Sequence, residues 1–207
     1  MHLTRSEASK RLPIRRKGTR YLARAKIDYK NSVPVVIALR DMLKLARTLK
    51  EVEKMIHHKL LKINGKLVKD YRDSIRLFNI FEADKSYQLT LNKIGKFAFV
   101  EDSSKERMCK VIDKKLYKKN TIQLNLHEGT NIVSKEKINV GDTVYIDFNT
   151  KIKKHTVFEK GKKCIILSGK YSGHTGSISE IDANKAKIKL EHHDVPVVLD
   201  KRSVLAI

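Results

Sequence analysis

Tryptophan is absent from this chain, and aromatic residues make up only 6% of it. Any packed core must therefore be mostly aliphatic. Cysteine occurs twice, at Cys109 and Cys164, in separate regions and with no CxxC spacing. A disulfide framework is not indicated, and a reduced, cytoplasmic chain is the plain expectation. Long apolar runs are missing as well. No stretch approaches the roughly 20 residues needed to span a bilayer, so a membrane partner is not expected. Residues 1–30 lack the apolar centre of a secretory leader. Acids are few: Asp and Glu number 23 against 45 Lys and Arg, a net charge of +22.

Patterns that carry chemistry are equally scarce. No GxSxG, HExxH or Walker-A motif is present. Asp41, Asp70, Asp73, Asp142, Asp147 and Asp200 form no paired local pattern, and in a basic chain they read as counter-ions or turn formers. Gly169, Gly173 and Gly176 give GxxxGxxG rather than GxGxxG, and no helix follows to hold an anion. They are expected in a tight inter-strand loop where unusual φ or close backbone approach is needed. The pairs His57-His58 and His192-His193 could suggest a metal, but adjacent side chains diverge and no carboxylate or thiol completes a set. No enzyme activity, metal, cofactor or small-molecule substrate is expected.

What the chain has is charge. A polypeptide this basic is relieved by a polyanion, whose condensed counterions it displaces. Residues 1–32 form a basic, poorly periodic arm that cannot bury enough apolar area to fold alone. It is expected to order against RNA or against the next domain. Residues 33–47 read as a helix, with Val35, Leu39, Met42 and Ala46 on one face and Arg40, Lys44 and Arg47 on another. Residues 48–58 read as a second helix. Thr48 and Glu51 form a capping box, and Leu49, Val52, Ile56 and Leu60 continue an apolar face. Asn64-Gly65 between Leu61–Ile63 and Lys66–Val68 predicts a two-residue hairpin. Cations from both helices should converge outside the aliphatic packing, a surface suited to a phosphate backbone.

Beyond residue 75 the pattern turns to short strands. Candidates are Ser74–Phe81, Tyr87–Leu91, Phe97–Val100, Thr121–Leu126 and Val144–Phe148, a small barrel-like domain. Lys163–Leu167, Ala186–Leu190, Val195–Leu199 and Val204–Ile207 suggest a second. Lys170, Tyr171 and His174 are expected to project from its glycine loop.

Several of these stretches resemble one family, the archaeal–eukaryotic type of small-subunit ribosomal protein four, and its archaeal form in particular. They are His2-Leu3-Thr4-Arg5, Pro13–Thr19, Leu39–Ala46, Glu51-Val52 and Leu61–Val68. Ile94-Gly95-Lys96-Phe97-Ala98 and Ile138–Val144 are similar to its central signatures, and Gly169–Ile178 resembles a KOW motif. The chain departs from the family in having no proline in Leu22–Asn31 and Tyr21 where an aromatic, often Trp, is usual. It also ends soon after the last barrel, without the tail of longer members. The resemblance implies an α+β, multi-domain fold: a helix–helix–hairpin RNA-binding module followed by two small β-barrel-like domains, the last SH3-like. The expected divisions are 1–32 for the arm, 33–92 for the module, 93–157 for the central β-domain and 158–207 for the KOW barrel. It implies a non-catalytic constituent of the small subunit whose partners are small-subunit rRNA and neighbouring ribosomal proteins. The residues expected at RNA are Arg5, Arg11, Arg15, Arg16, Lys17, Arg20 and Arg24 in the arm, and Arg40, Lys44, Arg47, Lys54, His57, His58 and Lys59 around the helices. Lys62, Asn64, Lys66 and Lys69 follow around the hairpin, and Lys170, Tyr171 and His174 in the glycine loop. Two other classes fit the residues: an RNA-modifying enzyme anchored by its N-terminal module, and a factor that binds protein through the last barrel.

Overall fold

In the computed structural model the described residues are 2–118, 121–182, 184–191 and 195–207. The chain is mostly β, with few helices. It divides into two compact units, Met1–Asn92 with Lys96–Lys105, and Lys93–Gly95 with Glu106–Ile207.

The first unit holds the short helices and a five-stranded sheet. The strand order is Lys66–Leu67, Lys62–Ile63, Ile80–Glu82, Ser86–Leu91, Phe97–Glu101. The hairpin reading of Asn64-Gly65 holds: both sit at positive φ, 51° and 75°, the geometry of a two-residue type I′ turn. Ser74–Phe81 is not one strand. It breaks at Phe78, whose φ is 63°, so that Ser74–Arg76 pairs with Ser32–Pro34 and Ile80–Glu82 joins the main sheet. Ser86–Leu91 and Phe97–Glu101 pair along their length, so a hairpin straddles residue 92.

The first helix is much shorter than its periodicity predicts. Val33 lies in a strand, Val35–Ile37 makes one α turn, and Ala38–Met42 is π-helical. Lys44 then adopts φ 59° and ends the helix. The apolar spacing did find core residues, since Val35, Val36, Leu39 and Ala46 are all buried. Tertiary packing buries them without continuing the helix. The second helix spans Leu49–His57, with the Thr48 side chain accepting from the Glu51 amide at 3.3 Å. The Glu51 carboxylate reaches back to accept from the Arg47 amide at 2.7 Å, and this donor holds its pKa below the usual value. Of the expected apolar face only Val52 is fully buried; Leu49 and Leu60 are 37% and 56% exposed.

The second unit holds two five-stranded antiparallel sheets. One runs Asn131–Ser134, Thr121–Leu126, Glu106–Lys118, Thr143–Asp147, Ile152–Thr156. Its core is aliphatic, built on Val111, Leu124, Leu126, Ile138, Val144 and Ile146. The other runs Val197–Asp200, Lys185–Leu190, Thr175–Ile181, Lys163–Ile166, Val204–Ala206. The Gly141-Asp142 turn explains why that dipeptide stands before a strand. Asp142 is buried, its Oδ2 accepts from the Asn139 amide and faces His155 Nε2 at 2.8 Å, and its Oδ1 accepts from the Phe158 amide.

Candidate nucleic-acid interface

The arm is folded onto the first unit. Leu3–Thr4 pairs with Tyr21–Leu22, and this closes the intervening residues into a loop. Leu3, Leu12 and Ala25 are buried. The Phe97 amide donates to the Arg11 carbonyl at 2.9 Å, and the Lys26 amide to the Arg72 carbonyl at 3.0 Å. Lys26 also pairs with Asp70 and Asp73, at 3.2 and 2.9 Å. Of the two expectations for the arm, docking on the next domain is therefore the one realised in the free chain.

Arg5 is spent inside that loop. Its Nε and Nη2 donate to the carbonyl and hydroxyl of Thr19, at 2.7 and 3.0 Å, and its Nη1 to the carbonyl of Arg15. Gly18, at φ +145°, lies against it; a Cβ there would stand 2.9 Å from Arg5 Nη2. The consequence is outward display. Arg15, Arg16, Lys17 and Arg20 are all exposed on the pinned loop.

The loop then meets the first helical segment. An open hollow of about 870 Å³ is lined by Arg5, Arg15 and Lys17 from the arm and by Arg40, Lys44 and Arg47 from the turn after the helix, with Asp41 the acid beside them. So Arg40, Lys44 and Arg47 gather with cations of the arm, not with those of the second helix as expected, and not as a stripe on one helix, since Lys44 sits in a left-handed turn. Arg40 is a partial exception, because its guanidinium grips Asp41 in two hydrogen bonds of 2.8 and 3.2 Å. Asp41 thus sets one acid among these cations. Arg15, Lys17, Lys44 and Arg47 are exposed, and among the described residues none of them is in a salt bridge. Arg16 and Arg20 line an adjoining hollow with Lys17 and Thr19.

The other expected residues fall into separate groups. Arg11 is half-buried with its side chain on Asn31, and Arg24 lies 4.6 Å over the Tyr29 ring. Lys54, His57, His58 and Lys59 are exposed around the end of the second helix. The hollow beside them also holds Glu53 and Asp70, and is lined by Lys69, Leu67 and Tyr71, so it is less purely cationic. Lys66 is exposed on the hairpin, whereas Lys62 stands 3.9 Å from Glu82. Asn64 serves the fold: its Oδ1 accepts from the Ile80 amide at 2.9 Å.

In the second unit the glycine loop is as expected in backbone but not in side chains. Gly169 and Gly173 take φ of 97° and 87°, and Gly176 packs so closely that a Cβ would lie 2.5 Å from the Lys189 carbonyl oxygen. Lys170 is exposed, but Tyr171 leans on the core of the terminal sheet and His174 is half-buried with Nδ1 3.1 Å from the Tyr171 carbonyl. Two of the three side chains therefore pack rather than project. His192 and His193 lie outside the described residues.

Two further cations of the second unit are buried. Arg107 and Lys110 are only 4% and 3% exposed. Arg107 pairs with Glu128 at 3.0 Å, and Lys110 Nζ donates to the carbonyls of Lys201 and Val204. No composition or spacing distinguishes them from surface lysines and arginines.

A strongly basic, mostly β chain that gathers exposed cations around a pinned loop and ends in a glycine-turned sheet is, by class, a protein shaped for a polyanion. The comparisons narrow this. The Ribosomal family S4e profile matches residues 83–153, and a KOW motif matches residues 160–191. The small ribosomal subunit protein eS4 of Methanocella arvoryzae is 30% identical over 188 residues, covering 87% of this chain and 80% of that protein. The protein of the same name from Archaeoglobus fulgidus is 26% identical over 214 residues, covering 97% and 91%. The crystal structure of 30S ribosomal protein S4e from Thermoplasma acidophilum matches with a TM-score of 0.73 at 26% identity, covering 86% of this chain and 95% of that one. The chain belongs to the S4e family of ribosomal proteins.

Proposed function

We propose that this protein binds small-subunit rRNA through the hollow shared by the arm loop and the turn after the first helix. As a family member it is a structural constituent of the small ribosomal subunit and not an enzyme. The observation that carries the binding site is the convergence of Arg15, Lys17, Lys44 and Arg47 on one open hollow. Guanidinium and ammonium groups in this arrangement position phosphates and read few bases. Arg5 and Arg40 act differently, one tying the loop and the other holding Asp41. Arg16 and Arg20 extend the surface along the arm, and Lys54, His57, His58, Lys59, Lys66 and Lys69 supply a second contact. Lys170 is the exposed cation of the glycine loop. Neighbouring ribosomal proteins would cover apolar positions left open on the second helix.

The arm at 1–32, the RNA-binding module, a central β-domain and a terminal KOW barrel remain the division we favour. The hairpin across residue 92 supports moving the end of the module from 92 to about Lys105. The test is binding of the full chain to deproteinised small-subunit rRNA over a range of salt. Replacing Arg15, Lys17, Lys44 and Arg47 with Gln should flatten the logarithmic salt slope by about one per lost phosphate contact. An unchanged slope would remove this hollow from the interface.

A further inference from the structure

The strand Glu106–Lys118 does two jobs along its length. Residues 106–110 pair with Thr143–Asp147, and from Val111 onward the strand pairs with Thr121–Leu126 instead. Its far half is thus one arm of a ribbon, bordered by Asn131–Ser134. The core does not follow it to the end. Val111 and Leu124 are fully buried, but Leu116 is 88% exposed and Tyr117 57%. With Ile112 and Val133 also 48% and 53% exposed on the same ribbon, these side chains form an apolar surface that the isolated chain does not cover, and such patches mark contact sites. The register shift between Leu116 and Lys118 twists the ribbon at this point.

Charge decides between occupants. The exposed segment reads Lys114-Lys115-Leu116-Tyr117, with Lys118 and Lys119 next in sequence. Asp113 adjoins the segment, and its Oδ1 accepts from the Lys114 amide at 2.8 Å. Lys114 Nζ reaches Asn139 Oδ1 at 3.3 Å, which holds its ammonium beside the ribbon. A protein groove for a leucine and a tyrosine would be apolar with an acidic rim. An RNA loop offers phosphates to the lysines together with an unstacked base face for the aromatic ring.

We infer that the ribbon tip carrying Lys114, Lys115, Leu116 and Tyr117 is a second, separate RNA contact that stacks Tyr117 on an unpaired rRNA base. It rests on the reading that the chain binds small-subunit rRNA, but not on the arm hollow. Ribose-phosphate is held by the lysines; Leu116 covers the edge of the stacked base.

Two experiments test it. With photoreactive benzoylphenylalanine in place of Tyr117, full-length protein assembled into small subunits should crosslink to rRNA on irradiation. Capture of a ribosomal protein alone, or of nothing, overturns the proposal. With purified chain and deproteinised small-subunit rRNA, Leu116→Ser with Tyr117→Ala should weaken binding roughly 5- to 100-fold, while Tyr117→Trp keeps affinity. Lys114→Gln with Lys115→Gln should flatten the salt slope by about two. These side chains lie on the surface, so the melting temperature should not fall. If the tip variants bind as wild type while loss of Arg15, Lys17, Lys44 and Arg47 weakens binding, the ribbon contact is wrong and the arm site stands. If neither set changes binding, both readings fail.

Discussion

Arg5 and Thr19 are fastened at two points, guanidinium Nε to the threonine carbonyl at 2.7 Å and Nη2 to its hydroxyl at 3.0 Å. A residue that looks like one more phosphate ligand is therefore the internal brace of the loop that carries the others. Arg5→Gln should lower RNA affinity without removing a surface phosphate contact. The salt slope should stay near wild type while the affinity drops, and the backbone amide at position 5, which donates to the Arg20 carbonyl at 2.9 Å, should lose protection from hydrogen exchange. Thr19→Val removes only the hydroxyl and should cost about 1 kcal/mol of loop stability. A slope that falls by a full unit on Arg5→Gln would mean that Arg5 does meet a phosphate.

The buried ammonium of Lys110 makes a pH prediction. Burial pushes its pKa down to about 8. In the unfolded chain the same group titrates near 10.4. Between these values the unfolded state binds more protons, so this residue makes stability rise with pH across that window. Below about pH 8 the burial penalty is constant, of order 3 kcal/mol. Urea unfolding of wild type and Lys110→Met at pH 7.5, 9 and 10.5 should show wild type gaining on the variant. NMR titration of the Lys110 side chain gives the pKa directly; a value near 10.4 contradicts the burial argument.

Arg107 and Glu128 form an ion pair whose side chains are only 5% and 2% exposed, with Thr130 Oγ1 also donating to Glu128 at 2.9 Å. Glu128→Gln leaves a buried guanidinium without its countercharge and should cost about 3–5 kcal/mol. Replacing both, Arg107→Met with Glu128→Leu, should cost clearly less. Chemical denaturation of the three variants tests this, and equal losses for the single and double replacements would contradict it.

Two glycines of the terminal sheet should fail for different reasons. At Gly169, φ is +97° and space is open, so Gly169→Ala should cost only the strain of that backbone, about 1–2 kcal/mol. At Gly176 a methyl group would meet the Lys189 carbonyl oxygen at 2.5 Å and Ile188 Cγ2 at 2.9 Å. Gly176→Ala should therefore separate the paired strands and destabilise much more. Thermal melts of both variants give the comparison.

What the sequence disclosed follows the range of the forces involved. The Asn64-Gly65 turn and the Thr48 cap are set by residues within four positions of each other, and both were legible. The end of the first helix is set by Lys44 at φ 59° and by burial of Leu39 and Ala46 against the rest of the unit, which no local spacing encodes. The long strand Glu106–Lys118 escaped because the buried cations Arg107 and Lys110 break its alternation of apolar and polar positions. The cationic character of the site could be read from composition. Its assembly could not, because Lys17 and Lys44 are neighbours around the hollow only through the docking of the arm.

The hydrogen bond from the Phe97 amide to the Arg11 carbonyl also has a timetable. Ribosomes release the amino end first, so the arm emerges long before its anchor strand exists. Until residue 97 leaves the exit tunnel, the loop carrying Arg15 and Lys17 has its own strand pair and the Arg5 brace but lacks this tie to the sheet. Afterwards the loop is a finished clasp, and the ordering of its backbone is settled during biosynthesis instead of at the encounter with nucleic acid.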